Sequence, residues 1–147
     1  MFRDFRTVGA VAHVIELAVA PVFLLTAIGT MLSVMTNRLA RVIDRARVHE
    51  AKLEIAPPEA VPKLHGYLAT LSRRADLIGH AIFLSTSTAL LVCAVIALLF
   101  LGDYLRYDMS IPIAFLFILA MLLLVIGLIC FLREVFIAKG SLRIGPN

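Results

Sequence analysis

Three uncharged apolar runs dominate the chain, at residues 17–37, 77–102 and 111–132. The hydrocarbon layer of a bilayer is about 30 Å thick, and about 20 helical residues cross it. Backbone polar groups in lipid must be hydrogen-bonded within their own segment, so each run is predicted to be an α-helix. The pattern therefore predicts an all-α, polytopic membrane protein with three transmembrane helices, TM1 to TM3.

The apolar pattern begins before the first run, but the charged residue Glu16 interrupts it just ahead of that run. One straight helix through both segments would be longer than the bilayer requires. We therefore expect residues 2–16 to form an interfacial helix, with Pro21 as the bend into TM1. A cleavable signal peptide is the alternative, but Glu16 and the continuing hydrophobicity beyond Pro21 argue against it.

Apolar periodicity also continues in residues 38–76, where charges are frequent. Apolar positions recur there at intervals of three and four residues on both sides of Pro57 and Pro58, as in helices that pack along a seam. Proline kinks or breaks a helix interior, so two in succession mark a turn. We predict that TM1 and TM2 each extend about 25 Å beyond the bilayer and pack as an antiparallel hairpin. The seam positions are Met35, Leu39, Val42, Ala46, His49, Leu53, Val61, Leu64, Leu68, Leu71, Ala75 and Ile78.

The basic residues are unevenly distributed and predict the orientation. Residues 38–76 contain eight Lys or Arg and residues 133–147 contain three, whereas the N-terminal segment has two and residues 103–110 have one. By the positive-inside rule, the hairpin and the tail at 133–147 are cytoplasmic. The N-terminus and the loop at 103–110 are then outside.

Composition changes the picture by excluding the soluble classes. Hydrophobic residues make up 61% of the chain and charged residues 16%, against about 45–50% and about 25% in soluble domains. A soluble domain of about 150 residues buries only about 70% of the surface of its unfolded chain, so it could not hide this much apolar surface. We therefore interpret residues 1–147 as a single membrane domain and exclude a nucleic-acid binder despite the net charge of +4. Cys93 and Cys130 lie in apolar runs and are expected to be small buried side chains.

Two motifs resemble a known family of bacterial membrane proteins. TNRLARVIDRAR at residues 36–47 is the more specific one, and HVIELAVAP at 13–21 fits the family's opening pattern except for Glu16, where Gln is expected. The family is known as domain of unknown function number 2721. The resemblance covers most of the chain and implies a small polytopic protein of the bacterial inner membrane. It implies no activity.

TM1 has one polar face. At about 100° per residue, its hydroxyl and amide side chains lie within about 60° of one another. A polar group that faces lipid without a partner costs several kcal/mol, so this face should meet another helix, another subunit or water. Lining of a pore by copies of TM1 is one interpretation, and hydrogen bonding between helices or to preceding carbonyls is the other. The predicted pore-lining or oligomer-interface residues are Thr26, Gly29, Thr30, Ser33 and Asn37.

Charged residues of the hairpin form a second candidate site. With the turn at Pro57 and Pro58, the register places Arg38 level with Asp76 and Asp44 close to Arg74, which predicts two ion pairs. The alternative is solvated surface charges, each pair contributing under about 1 kcal/mol. Basic residues beside a membrane also attract anionic headgroups. The predicted cytoplasmic charge network comprises Arg38, Arg41, Asp44, Arg45, Arg74 and Asp76.

The other two membrane helices predict packing roles. TM2 has a small residue at every fourth position, which lets a neighbouring backbone approach. TM3 is apolar all round, as expected of a helix that faces lipid on the outside. The small residues of TM2 are Ala81, Ser85, Ala89, Cys93 and Ala97.

The function predicted from these features is ion conduction by a homo-oligomer in the lipid bilayer. The alternative is a non-conducting scaffold or accessory subunit that docks a cytoplasmic protein through the hairpin. No phosphate-binding loop, activated nucleophile or CxxC motif occurs, so no enzyme is expected. His13 and Glu16 share a helical face, but two further ligands would be needed for a metal site. No metal, other cofactor or nucleic acid is therefore predicted.

Overall fold

A computed structural model describes residues 2–141, with the side chains of residues 9 and 11–140. The described residues form three α-helices: α1 (Phe2–Glu54), α2 (Val61–Leu105) and α3 (Ser110–Ser141). Each contains a segment long and apolar enough to cross a membrane. The chain is therefore an all-α protein with three candidate membrane helices, as its hydrophobic pattern predicts.

Helix α1 runs without interruption from Phe2 to Glu54 and includes Pro21. The sequence predicts a separate interfacial helix at residues 2–16, but the backbone shows no helix break before Pro21. A proline inside a membrane helix is tolerated when neighbouring groups satisfy the hydrogen bond that it removes. Whether residues 2–16 lie at a membrane interface stays a prediction.

Helix α3 continues to Ser141, whereas the sequence places the end of TM3 at residue 132. Arg133 and Glu134 end the uncharged run, but apolar residues resume at 135–137. The charged pair therefore does not end the helix. This extension determines where Glu134 lies.

The link between α2 and α3 is a compact pair of caps. Arg106 has a left-handed φ of 52°, the Tyr107 N–H donates to the Gly102 carbonyl at 3.2 Å, and the Arg106 N–H donates to Asp103 at 3.3 Å. These two bonds form a Schellman motif that ends α2. Asp108 then caps α3, since its carboxylate accepts hydrogen bonds from the backbone N–H and the hydroxyl of Ser110.

The described residues divide into two compact units. The first comprises residues 2–31 and 85–125. It buries apolar side chains of all three helices together with two hydroxyl residues of α2, and the Thr88 hydroxyl donates to the Ala120 carbonyl at 3.3 Å. Its buried residues include Ile28, Ser85, Thr88, Val92, Val95 and Ala120.

The small-residue pattern of TM2 is only partly buried. Ser85 is buried, but Cys93 and Ala97 are exposed, because a spacing of four residues advances about 40° around a helix at every step. The buried positions of α2 instead alternate by three and four residues through Thr88, Val92 and Val95. The expectation that both cysteines are buried is wrong, since Cys93 is exposed and Cys130 is half-buried.

The second unit comprises residues 32–84 and 126–141. Here the end of α1 and the start of α2 are joined by the turn that contains Pro57 and Pro58. Every predicted seam position is buried or half-buried, and Met35 and Ile78 are completely buried. The rings of His49 and Tyr67 stack with centroids 5.6 Å apart. The predicted seam positions of both arms are therefore shielded from solvent, whereas an antiparallel hairpin that extends beyond a membrane stays a prediction.

Candidate functional site

A buried carboxylate in the second unit is held by two arginines. Glu134 of α3 has a completely buried side chain. Arg38 of α1 donates from Nη1 to its Oε2 at 2.8 Å, and Arg74 of α2 donates from Nε and Nη2 to its Oε1 at 3.0 and 2.8 Å. One residue from each helix therefore meets in this cluster, which we call the Arg–Glu–Arg cluster.

The helical spacing places both arginines at the hairpin seam. Arg38 follows Met35 by three residues and precedes Val42 by four, and Arg74 stands in the same relation to two buried residues of α2. Residues at these spacings share one face of a helix. Each arginine therefore emerges from an apolar seam at the edge where α3 packs.

Glu134 occupies a buried position on α3 for a similar reason. Ala120, Gly127 and Glu134 are spaced by seven residues and are all buried. Two small residues precede the glutamate in this series, so α3 presents a narrow face with one carboxylate near its end. Phe131, one turn earlier, lies with its ring centroid 5.3 Å from the guanidinium carbon of Arg38, a distance at which a cation is attracted to an aromatic face.

The electrostatics of the cluster follow from its burial. An isolated carboxylate in an apolar interior costs many kcal/mol, and pairing with hydrogen-bonded cations offsets that cost. The side chains of Arg74 and Arg38 are 12% and 33% exposed, so both cations keep some contact with their surroundings. With two cations and one anion, the cluster carries a net charge of +1.

A cavity of about 130 Å³ adjoins the cluster. Two further arginines of α1, Arg41 and Arg45, line it together with Arg38 and Arg74, and the rest of the wall is apolar. All four arginines belong to the predicted charge network. Among the described residues, its lining is Arg38, Arg41, Val42, Arg45, Arg74 and Ala138. This described lining has four arginines and no acidic side chain, so the cavity is basic.

The two predicted ion pairs need correction. Arg38 and Arg74 both bind Glu134 rather than Asp76 and Asp44, and the two aspartates have exposed side chains. The prediction considered two helices only, whereas α3 supplies a carboxylate to the interior, where pairing is much stronger than at an exposed surface. Glu134 was not predicted as a site residue because residues 133–147 were interpreted as a cytoplasmic tail.

The predicted polar face of TM1 is exposed in both units. Thr26, Gly29 and Thr30 are exposed in the first unit, and Ser33 and Asn37 in the second. The Thr26 hydroxyl donates to the Val22 carbonyl at 3.3 Å, and the Thr30 hydroxyl donates to the Thr26 backbone carbonyl at 3.0 Å. Within residues 2–141, Ser33 and Asn37 make no side-chain hydrogen bond.

His13 and Glu16, which share a helical face, are both exposed. In the part of the chain that the structure describes, no three His, Cys, Asp or Glu side chains are grouped as a metal site. The arginine cavity is thus the site with the most definite chemistry, and that chemistry suits an anion.

Comparison with known proteins identifies a family without assigning an activity. The sequence model of a family described as protein of unknown function, DUF2721, matches residues 18–144. No curated protein and no solved structure matches the chain. The family match includes all the residues of the Arg–Glu–Arg cluster and its cavity. Since it extends over most of the sequence, the chain belongs to the DUF2721 family of proteins of unknown function.

Proposed function

We propose that this protein forms homo-oligomers in a membrane and conducts ions along an axis lined by the polar face of α1. The observation that carries the proposal is the exposure of this face. Ser33 and Asn37 have no side-chain hydrogen bond within residues 2–141, and polar groups of a membrane helix require a partner or water. A second copy of α1, or water on an oligomer axis, meets that requirement.

The threonine geometry indicates what such an axis would offer an ion. Thr26 and Thr30 each donate the hydroxyl proton to a carbonyl four residues earlier. The lone pairs of these oxygens then remain available as acceptors. Oxygen acceptors at a helix surface are suitable ligands for a partly dehydrated cation. Nearby Gly29 has open space where a Cβ would lie, which allows a neighbouring helix to approach.

Flux into liposomes tests the proposal. The variant S33L/N37L removes the two unpartnered polar groups, and V34L is the matched control because Val34 is exposed on the same turn. We expect cation flux from the parent protein, a loss of at least about tenfold in S33L/N37L, and parental flux in V34L. Cross-linking must show the same oligomer in all three. Absence of flux from the parent, or equal flux in the double variant, would exclude the pore.

A scaffold or accessory subunit is the second candidate, and the tip of the hairpin favours it. Ile55 is 85% exposed and lines a largely apolar cavity with Pro57, Leu64 and Tyr67. An apolar surface on a segment outside the membrane is typical of a protein contact. If a stable oligomer conducts nothing, this candidate replaces the channel.

We further propose an inner-membrane location with the N-terminus outside. The support is the excess of Lys and Arg in residues 38–76 and 133–147 over the N-terminal segment and residues 103–110. In this orientation the Arg–Glu–Arg cluster is at the cytoplasmic side.

A further inference from the structure

We propose that the cavity lined by α1, α2 and Ala138 of α3 binds a phosphate group, through Arg38, Arg41, Arg45 and Arg74. This goes beyond ion conduction, because the site lies within one unit of a single chain and does not require an oligomer. The cavity measures about 130 Å³, well above the roughly 10–15 Å³ that holds one water molecule. A tetrahedral oxyanion therefore has room beside the guanidinium groups.

The spacing of the arginines makes the cavity a defined site. Arg38, Arg41 and Arg45 follow one another at three and four residues, which places them on a single face of α1. Arg74 approaches from α2. Arg47 is nine residues after Arg38 and so lies on the opposite face of the helix.

The free donors exceed what Glu134 uses. A guanidinium has five N–H groups, of which Arg38 gives one and Arg74 gives two to Glu134. Within the described residues, Arg41 and Arg45 take part in no ion pair. Four positive charges against one negative charge leave a net charge of +3 around the cavity, and Glu134 holds two of the four guanidinium groups in place.

This arrangement suits a phosphate better than a single carboxylate. A phosphate group presents several oxygens and accepts paired hydrogen bonds from planar guanidinium groups in different directions. Three or four arginines therefore find acceptors on one phosphate, whereas a carboxylate has two oxygens. The relevant chemistry is a phosphate monoester or inorganic phosphate itself, which carries more charge than the diester of a phosphatidylcholine headgroup.

The position along α1 makes two sources of phosphate accessible. Arg38 directly follows the predicted span 17–37, and the helix rises about 10 Å from Arg38 to Arg45. The headgroup layer on each side of a bilayer is about 5–8 Å deep. A phospholipid headgroup and free phosphate from the aqueous phase can therefore both reach the site.

The test uses the full chain in phosphatidylcholine nanodiscs and compares two variants of equal charge. R41Q/R45Q removes two arginines from the cavity lining, whereas R47Q/R73Q removes two exposed arginines that do not line it. Inorganic phosphate is titrated by calorimetry at constant ionic strength. In a second arm, phosphatidic acid is added to the nanodiscs, and retained lipid is counted by native mass spectrometry. R45Q alone is measured if the double variant does not fold.

Saturable phosphate binding in the first arm identifies a soluble ligand, and retained phosphatidic acid in the second identifies a lipid. Either result supports the site if R41Q/R45Q weakens binding by about tenfold or more and R47Q/R73Q leaves it near the parental value. The proposal is overturned if the parent binds neither ligand. Equal weakening by both variants also overturns it, since the effect would then be one of overall charge. Neither arm depends on ion flux.

Discussion

Arg74 donates two hydrogen bonds, from Nε and Nη2, to the same oxygen of Glu134. The other oxygen accepts from Arg38, so the carboxylate joins α1, α2 and α3 through one buried group. Displacement of the carboxylate from these cations would leave a buried charge uncompensated, so we expect the contact to restrict how the three helices meet.

Replacement of Glu134 by alanine should destabilise the protein by about 3 kcal/mol. The loss of one partner from a buried ion pair costs about 3–5 kcal/mol, and the 33% exposure of Arg38 places the value toward the lower end. Denaturant unfolding in detergent, followed by circular dichroism, measures the change. Asp76→Ala is the control, because Asp76 is exposed and its removal should cost less than about 0.5 kcal/mol. Equal effects of the two variants would contradict the burial of the glutamate.

Met35→Ala should destabilise the hairpin by about 2–5 kcal/mol. Met35 is completely buried, so removal of its large side chain leaves a cavity. Val34 is the next residue and is exposed, so Val34→Ala serves as the matched control with a change under about 1 kcal/mol. Unfolding midpoints of both variants in the same detergent decide the matter. A smaller loss for Met35→Ala than for Val34→Ala would mean that the seam is on another face.

The cap of α3 should respond to acid. Hydrogen bonds from the Ser110 hydroxyl and backbone N–H lower the pKa of Asp108 below its ordinary value of 3.8. Because the pKa is lower in the folded state, the cap contributes its full stability at pH values above the unfolded-state pKa. This stability is lost as the pH falls through the folded-state pKa. An NMR titration should give a pKa for Asp108 below 3.8. In the variant Ser110→Ala, the pKa of Asp108 should lie closer to that value. An Asp108 pKa at or above 3.8 in both proteins would rule out the capping contact.

The orientation can be measured by cysteine labelling. In a background with Cys93→Ala and Cys130→Ala, a single cysteine is placed at Glu59 in the hairpin turn or at Tyr107 in the opposite link. A membrane-impermeant maleimide added to intact cells should label the cysteine at position 107 at once, and that at position 59 only after permeabilisation. Both sites are exposed, so access depends on the side of the membrane. The reverse pattern would invert the proposed topology.

The buried faces of α1 and α2 on either side of the turn could be predicted from the sequence because packing repeats at regular intervals. Met35, Val42, Leu71 and Ile78 are apolar at heptad spacings, and all four are buried. Periodicity of this kind records which face of a helix is shielded. The buried face of each helix can therefore be predicted without knowing which element packs against it.

The partner of the two arginines could not be derived in this way. Charge pairing within the hairpin selected Asp76 and Asp44, since the register of two arms says nothing about a third helix. Two signals pointed to Glu134 nonetheless. It continues the seven-residue series of Ala120 and Gly127, and apolar residues follow it directly. An acidic residue at a buried heptad position requires a cation, and Arg38 and Arg74 stand at equivalent seam positions.

A double-mutant cycle between Arg74 and Glu134 tests the central claim most directly. The variants R74Q, E134Q and R74Q/E134Q give the coupling free energy of the pair, and R74Q with D44N gives that of the pair predicted from the hairpin register. We expect a coupling of about 1.5 kcal/mol or more for Arg74 with Glu134 and none beyond experimental error for Arg74 with Asp44. A coupling confined to Arg74 and Asp44 would contradict the account, because α3 would then not supply the carboxylate that joins the three helices.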